Sequence, residues 1–435
     1  MLEKFKELLK FTGPIVAGKI GLMLIGAGDV WVASHHSPEA LAAIGIANGL
    51  SLSIMLLASG MNVGLSPLLS KIRGEGHDST IHLKTCCYFS VIYAAPAVVI
   101  VYAMHWLVPS LGFDPKLVND IQQYLIIIAP SILFVGLFEG LKEFLQSDNK
   151  VYLTNLFSIM AIFLNVALNK VFLYGFGPIP AYGVQGLAMA SFFVRLFLAL
   201  SVVTLVIKYK PWEQKFSWDF FKTATRFCFP ISLSFFFEVL AFASMAPLIG
   251  RMGTEQAAAH NVVITVASTS FMFPLSVASA LATKIGFCYG ERNYRDIVTF
   301  AKIGMFISQG LAIVSGIIYL CFPELILSFF GLSGNVAVLA TRIIFITAVF
   351  QFFDNAQVTL AGILRGIGIS KPVMVANIIG YWIIGLPIGL YIAYEFNLGA
   401  IGLWWSIALS LFLVSTSIGW VLLKKLSILK IKFQT

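Results

Sequence analysis

Along most of the chain, apolar residues run on for twenty or more positions before a polar or Gly/Pro-marked break. Twelve such runs fall at 12–34, 42–70, 82–107, 122–146, 152–174, 184–208, 226–250, 258–288, 298–321, 337–364, 373–395 and 400–423. A helix needs roughly 20 apolar residues to cross the hydrocarbon core of a bilayer, and backbone amides in lipid need internal partners. The pattern therefore predicts an all-α polytopic membrane protein of twelve transmembrane helices, with no stretch left over for a large soluble domain. The opening MLEKFKELLK alternates charged and apolar residues and lacks the basic tip, short apolar core and small-residue site of a cleaved leader. It predicts an amphipathic helix on the membrane surface.

Composition agrees, since 59% of the 435 residues are apolar and 11% charged, too little polarity to cover a soluble domain. A net charge of +9 would suit a nucleic-acid binder, but the placement of the charge speaks against one. With the N-terminus inside, 23 of the 29 Lys and Arg fall in the termini and the even-numbered connections, five of them between Lys208 and Arg226. Only Lys116, Arg251 and Arg342 fall on the other side. This is the positive-inside pattern, and it predicts a protein of the cell inner membrane with both termini cytoplasmic, bathed in lipid and binding no nucleic acid. The five cysteines are odd in number and lack zinc spacing, so neither a disulfide framework nor a metal site is implied.

The chain also repeats itself. A shift of 216 residues lays Phe11 and Pro14 on Phe227 and Pro230, Glu39 and Ala43 on Glu255 and Ala259, and Gly74 on Gly290, without a gap. The expected organisation is an N-terminal six-helix lobe at 1–207, a basic cytoplasmic linker at 208–225 and a C-terminal six-helix lobe at 226–435. Both lobes start inside, so they are related by a pseudo-twofold along the membrane normal, and a substrate path is expected between them. Two similar bundles around one path suit alternating access. An enzyme would need no such duplication, and HExxH, GxSxG and GxGD are all missing.

Candidate chemistry lies in the acids inside apolar spans, Asp29, Glu139, Glu238 and Asp354, because a charge there persists only with a partner or a purpose. Lys19 and Glu139 lie at similar depth on spans 1 and 4 and are read as a structural ion pair, with Arg195 as a candidate third member. Asp29 can meet Asn165 and Asn169, four residues apart on one face of span 5, joined by the hydroxyl of Ser191. Such a hard-oxygen cluster suits Na⁺, while the carboxyl alone could take a proton, so the two ions would compete for one group. A polar cluster that merely ties spans 1 and 5 together is the alternative. Glu238 and Asp354, the latter on a strip with Gln351 and Gln357, form a second candidate ion or substrate site and a counter-charge for a cationic substrate. The repeat shift sends Asp29 to Met245, so the lobes do not carry equivalent acids, an asymmetry that favours function over scaffold. Polar strips on span 2 (Asn48, Ser51, Ser59, Asn62, Ser66) and span 8 (Asn261, Thr265, Ser268, Thr269) either glue helices together or line a wet cleft.

The fragments GDVWVASHHSPEALAAIG, FLNVALNKVFLYG, FPISLSFFFEV, EQAAAHNVVITVASTSFMFPLS, QFFDNAQVTLAGILRGIGISKP and YWIIGLPIG with LGAIGLWW, in that order, resemble the multidrug and toxic compound extrusion (MATE) family and its NorM-like branch. The resemblance implies a V-shaped pair of six-helix bundles that exports cationic amphipathic drugs in exchange for Na⁺ or H⁺. It also implies a cation site at Asp29, Asn165 and Asn169 and second-lobe acids at Glu238 and Asp354. Ser191 stands where a threonine is frequent, and Phe350 where some relatives have a tyrosine, which would weaken the second-lobe site or turn it to substrate. A monomer without cofactors beyond the coupling ion is expected. A lipid-linked oligosaccharide flippase of the same superfamily should show a basic cleft, and a non-transporting scaffold would leave the buried acids unexplained.

Overall fold

The computed structural model describes the backbone of residues 1–434 and the side chains of residues 1–433. Among the described residues, eleven helices are long and apolar enough to cross a membrane. A twelfth span is built from α5 (Pro115–Ile128) and α6 (Ser131–Ser147), bent by 43° at the break between them. Pro130 sits in that break and offers no N–H to continue the helical ladder. The other helices that matter below are α1 (Leu2–Ser34), α2 (Pro38–Val63), α3 (Leu65–Gly74), α4 (Leu83–Leu107), α7 (Val151–Tyr174), α8 (Val184–Val206), α9 (Trp218–Gly250), α10 (Thr254–Gly290), α11 (Tyr294–Cys321), α12 (Pro323–Phe329) and α13 (Gly334–Gly366). Span 11 is composite, with α14 (Lys371–Asn377), a π-helical segment (Ile378–Gly385) and α15 (Leu386–Glu395), and α16 (Ala400–Gln434) ends the chain. The widened turns lie just before Pro387, whose missing N–H leaves the carbonyl one turn back without its usual donor.

The internal repeat is visible in helix boundaries. Both ends of α9 lie 216 residues beyond those of α1, and both ends of α10 lie 216 beyond the start of α2 and the end of α3. Where α10 runs unbroken, its counterpart is interrupted at Gly64. A Cβ there would lie 2.6 Å from Cys228 Sγ, so the glycine permits a close approach, and the equivalent position in α10 is Ala280.

Contacts divide the chain into two units. The first comprises Gly13–Leu69 and His77–Ser232 and has its own core, in which Ile44, Val101, Leu125 and Leu187 are fully buried. The ordered 208–225 stretch packs on this unit, with Gln214 accepting from the Lys84 amide at 3.1 Å. The second comprises Met1–Thr12, Ser70–Gly76 and Leu233–Thr435, with a core that includes Ile344, Tyr381, Leu403 and Trp404. The expected surface helix at the N-terminus is not separate: its residues are the first turns of α1. Leu8 is fully buried, Lys4 pairs with Asp296, and Glu7 pairs with Lys284 at 2.8 Å, so packing in the second unit overrides the amphipathic pattern. Large apolar side chains such as Phe163 and Phe306, each 73% exposed, stud the outside of the helices, as lipid-facing surface requires.

Candidate functional site

In the first unit, α1 and α7 come close because α1 carries glycine where they meet. A Cβ on Gly18 would lie 1.9 Å from Asn155 Oδ1, and one on Gly28 would lie 2.8 Å from Asn165 Oδ1. The next residue, Asp29, is buried and accepts three hydrogen bonds. Asn165 and Asn169 each donate Nδ2–H to its Oδ1 at 2.8 Å, and the Ser191 hydroxyl donates to Oδ2 at 2.7 Å. Asn169 also donates to Asn165 Oδ1 at 3.2 Å, while its own Oδ1 is buried without a partner. All four residues expected at this cluster are therefore in direct contact.

Two further neighbours complete the cluster: Arg195, expected beside Lys19 and Glu139 but found here instead, and Tyr124, which the sequence did not single out. Arg195 lies one turn beyond Ser191 on α8, donates Nη1–H to Ser131 Oγ at 2.8 Å, and attracts the Asp29 carboxylate. Tyr124 is buried and donates to Asn48 Oδ1 at 3.2 Å. Three donors offset part of the cost of burying the Asp29 carboxylate. The carboxylate can be neutralised by one proton, or coordinate Na⁺ if the two amides turn their oxygens inward.

Glu139 has the Lys142 ammonium at 3.8 Å, one turn along α6, a partner not anticipated from depth matching. Lys19 is itself engaged in interactions. The span 2 strip acts in part as glue: Asn62 accepts from Ser90 at 2.8 Å, and Gln146 donates to Ser66 at 3.4 Å, tying α2 to α4 and α3 to α6. On α10, Thr265 and Thr269 are exposed and donate to carbonyls of their own helix at 2.7 and 2.8 Å.

In the second unit, Glu238 on α9 accepts from Asn377 Nδ2 at 2.9 Å and from Gln357 Nε2 at 3.4 Å. Asn377 also donates to Ser234 at 3.0 Å, and the Tyr381 hydroxyl donates to Gln357 Oε1 at 2.7 Å. Asp354 is buried beside this network, repels Glu238 electrostatically, and accepts no hydrogen bond among the described residues. Gln351 turns away from the acids and donates to Asn355 at 2.7 Å, within a separate network that reaches Ser308 on α11. Arg365 is buried with its guanidinium 4.7 Å over the Phe235 ring and attracts Glu238. Phe350, between Phe242 and Trp404, supplies packing only, and the phenol in this region is that of Tyr381.

The same construction thus occurs twice. An acid on the first helix of each repeat, α1 or α9, takes an amide from the fifth span, through α7 or α14. The levels differ, since Glu238 shifted back by 216 falls on Leu22, seven residues before Asp29. Seven residues are two helical turns, about 10 Å along the axis.

A sequence model of the MatE family matches residues 14–171 and again 230–391, and the two starts are 216 residues apart, as in the repeat. The chain is 26% identical over 422 residues to a probable multidrug resistance protein NorM of Photorhabdus laumondii, covering 94% of this chain and 93% of that one. It is 27% identical over 404 residues to the multidrug resistance protein NorM of Aliivibrio fischeri, covering 89% and 86%. Among solved structures, it matches an outward-facing multidrug resistance MATE family transporter of the MOP superfamily with a TM-score of 0.87 at 20% identity, over 98% and 96% of the two chains. A eukaryotic MATE transporter matches with a TM-score of 0.87 at 17% identity, over 99% of each chain. At such identities the structural likeness establishes the fold.

Proposed function

The chain belongs to the MatE family of membrane transporters, and from that premise we propose that it exports cationic amphipathic drugs by antiport against Na⁺ or H⁺. The relatives described as multidrug resistance proteins support the drug-export reading. On this reading the protein is a monomer of the cell inner membrane with both termini cytoplasmic. Two lobes, 1–207 and 226–435, joined by the 208–225 linker, provide the alternating access.

The observation that carries the coupling is the Asp29 cluster, a buried carboxylate whose three contacts come from α7 and α8. Loading it with a proton or Na⁺ changes what α1 tolerates beside α7, and a ligand shifts a conformational equilibrium only through such a difference between states. Glu238 with Gln357 and Asp354 offers negative charge to a cationic substrate, while Gln351 contributes to the separate network with Asn355. The test is dye efflux from liposomes containing the purified protein, with Na⁺ and H⁺ gradients imposed separately. Efflux should follow one gradient or both, and dye movement indifferent to both gradients would rule out antiport.

A further inference from the structure

A groove of about 780 Å³ runs along the second unit between span 11 and α16. Its walls are mostly aliphatic, through Val375, Ile379, Ile384 and Leu413. Its cation is Lys371, the first residue of α14, and its other polar side chains are Thr416, Ser417 and Trp420 on α16. The Lys424 ammonium lies 5.3 Å over the Trp420 ring. Lys371 has no carboxylate partner among the described residues, and no acid lines the groove.

The occupant follows from this chemistry. An aliphatic groove on a membrane-spanning helix pair takes an acyl chain, and a Trp–Lys end is what protein surfaces present at headgroup level. Two ammonium groups without a carboxylate repel a cationic drug and attract an anionic headgroup. We infer that this groove binds one anionic phospholipid, its acyl chain along Val375, Ile379 and Leu413 and its phosphate at Lys371 with Lys424 beside it.

The site would also act on the transport machinery. The wall formed by Ala376, Ile379 and Gly380 belongs to the same helical turns as Asn377 and Tyr381, which hold Glu238 and Gln357. Those turns run into the π-helical segment, and they meet α16 closely: a Cβ on Gly380 would lie 2.2 Å from Val414 Cγ2. A bound lipid therefore braces the backbone that positions the second-lobe acid. This consequence rests on the proposed role of that acid, whereas the binding site itself does not.

Binding can be read without transport. Protein in phosphatidylcholine is mixed with brominated-chain phosphatidylglycerol, and the quenching lost in Trp420→Phe isolates the signal of this groove. Wild type should prefer phosphatidylglycerol over brominated phosphatidylcholine by about fivefold or more, as expected for one headgroup charge near lysine. Lys371→Gln with Lys424→Gln should lose the preference, Lys371→Arg with Lys424→Arg should keep it, and Lys208→Gln with Lys210→Gln, outside the groove, should also keep it. Equal quenching by the two lipids in wild type would overturn the site, as would a preference unchanged in the Gln pair. Loss of the preference on adding inorganic phosphate at constant ionic strength would replace it with a simple anion site.

Discussion

Replacing Asp29 by Asn separates the charge of the first-lobe cluster from its shape. The amide can reproduce the contacts: its Oδ1 accepts from Asn165 and Asn169, and its Nδ2 donates to Ser191, whose hydroxyl rotates to accept. Hydrogen bonds to a charged group contribute about 1.5–3 kcal/mol and neutral ones about 0.5–1.5, so three contacts weaken by about 1 kcal/mol each. Against this, the burial penalty of the ion, several kcal/mol, disappears. The two effects oppose each other, and the variant should fold with a melting temperature close to that of wild type. Coupling is different. Driving a two-state lobe from 1:99 to 99:1 takes about 5.5 kcal/mol of differential ion binding, and without an ionisable group the gradient supplies none of it. The driven population, and with it efflux, should fall by about two orders of magnitude. Purified Asp29→Asn in liposomes, assayed for gradient-driven dye efflux and for equilibrium dye binding, should show the first lost and the second retained. Efflux at the wild-type rate under the same gradient would refute the coupling role.

In the second lobe, Glu238→Gln or Asp354→Asn should weaken binding of cationic substrates more than of neutral ones, and equal losses would show that the acids are not the counter-charge. A double-mutant cycle of Glu238→Gln with Asn377→Leu, followed by unfolding in detergent, should give a coupling of about 1.5–3 kcal/mol for their 2.9 Å contact, and additive effects would contradict it. Lys19→Ala should destabilise the fold and Glu139→Gln in the same chain should partly restore it. The Lys142–Glu139 coupling, at 3.8 Å and partly exposed, should stay at or below about 1 kcal/mol, and a larger value would make Lys142 the main partner of Glu139. A cysteine introduced at Ser37 in a variant lacking the native cysteines should react with an impermeant maleimide on intact cells, and reaction only after permeabilisation would invert the proposed topology.

The Asp29 cluster was legible because its members are polar residues in apolar runs, where each stands out, and because helical spacing places Asn165 and Asn169 on one face. Asn377 and Tyr381 were not. They stand four residues apart in span 11, as Asn165 and Asn169 do in span 5, but no acid lies in that apolar run to single them out, and only folding brings Asn377 to Glu238 and Tyr381 to Gln357. Gln351 and Gln357 shared a sequence strip, yet the structure sends one to Asn355 and the other to Glu238. Depth matching paired Glu139 with Lys19 across helices and overlooked Lys142, three residues away on the same helix. The π-helical turns are also invisible beforehand, since they depend on which carbonyl each amide finds. Likewise, the first ten residues carry the pattern of a surface helix, and only the contacts of Lys4, Glu7 and Leu8 reveal that they are packed.

That each repeat sets its acid–amide pair at a different turn has a consequence for descent. Were the two lobes copies of one shorter chain, any substitution would appear in both at once, and a change that broadened the range of expelled compounds would also disturb the powering site. Within a single chain the two copies vary independently. On the proposed division of roles, selection by a new toxin can rework the surroundings of Glu238 while Asp29, Asn165 and Asn169 stay as they are. Resistance can then drift from compound to compound without the protein having to reinvent how it is energised.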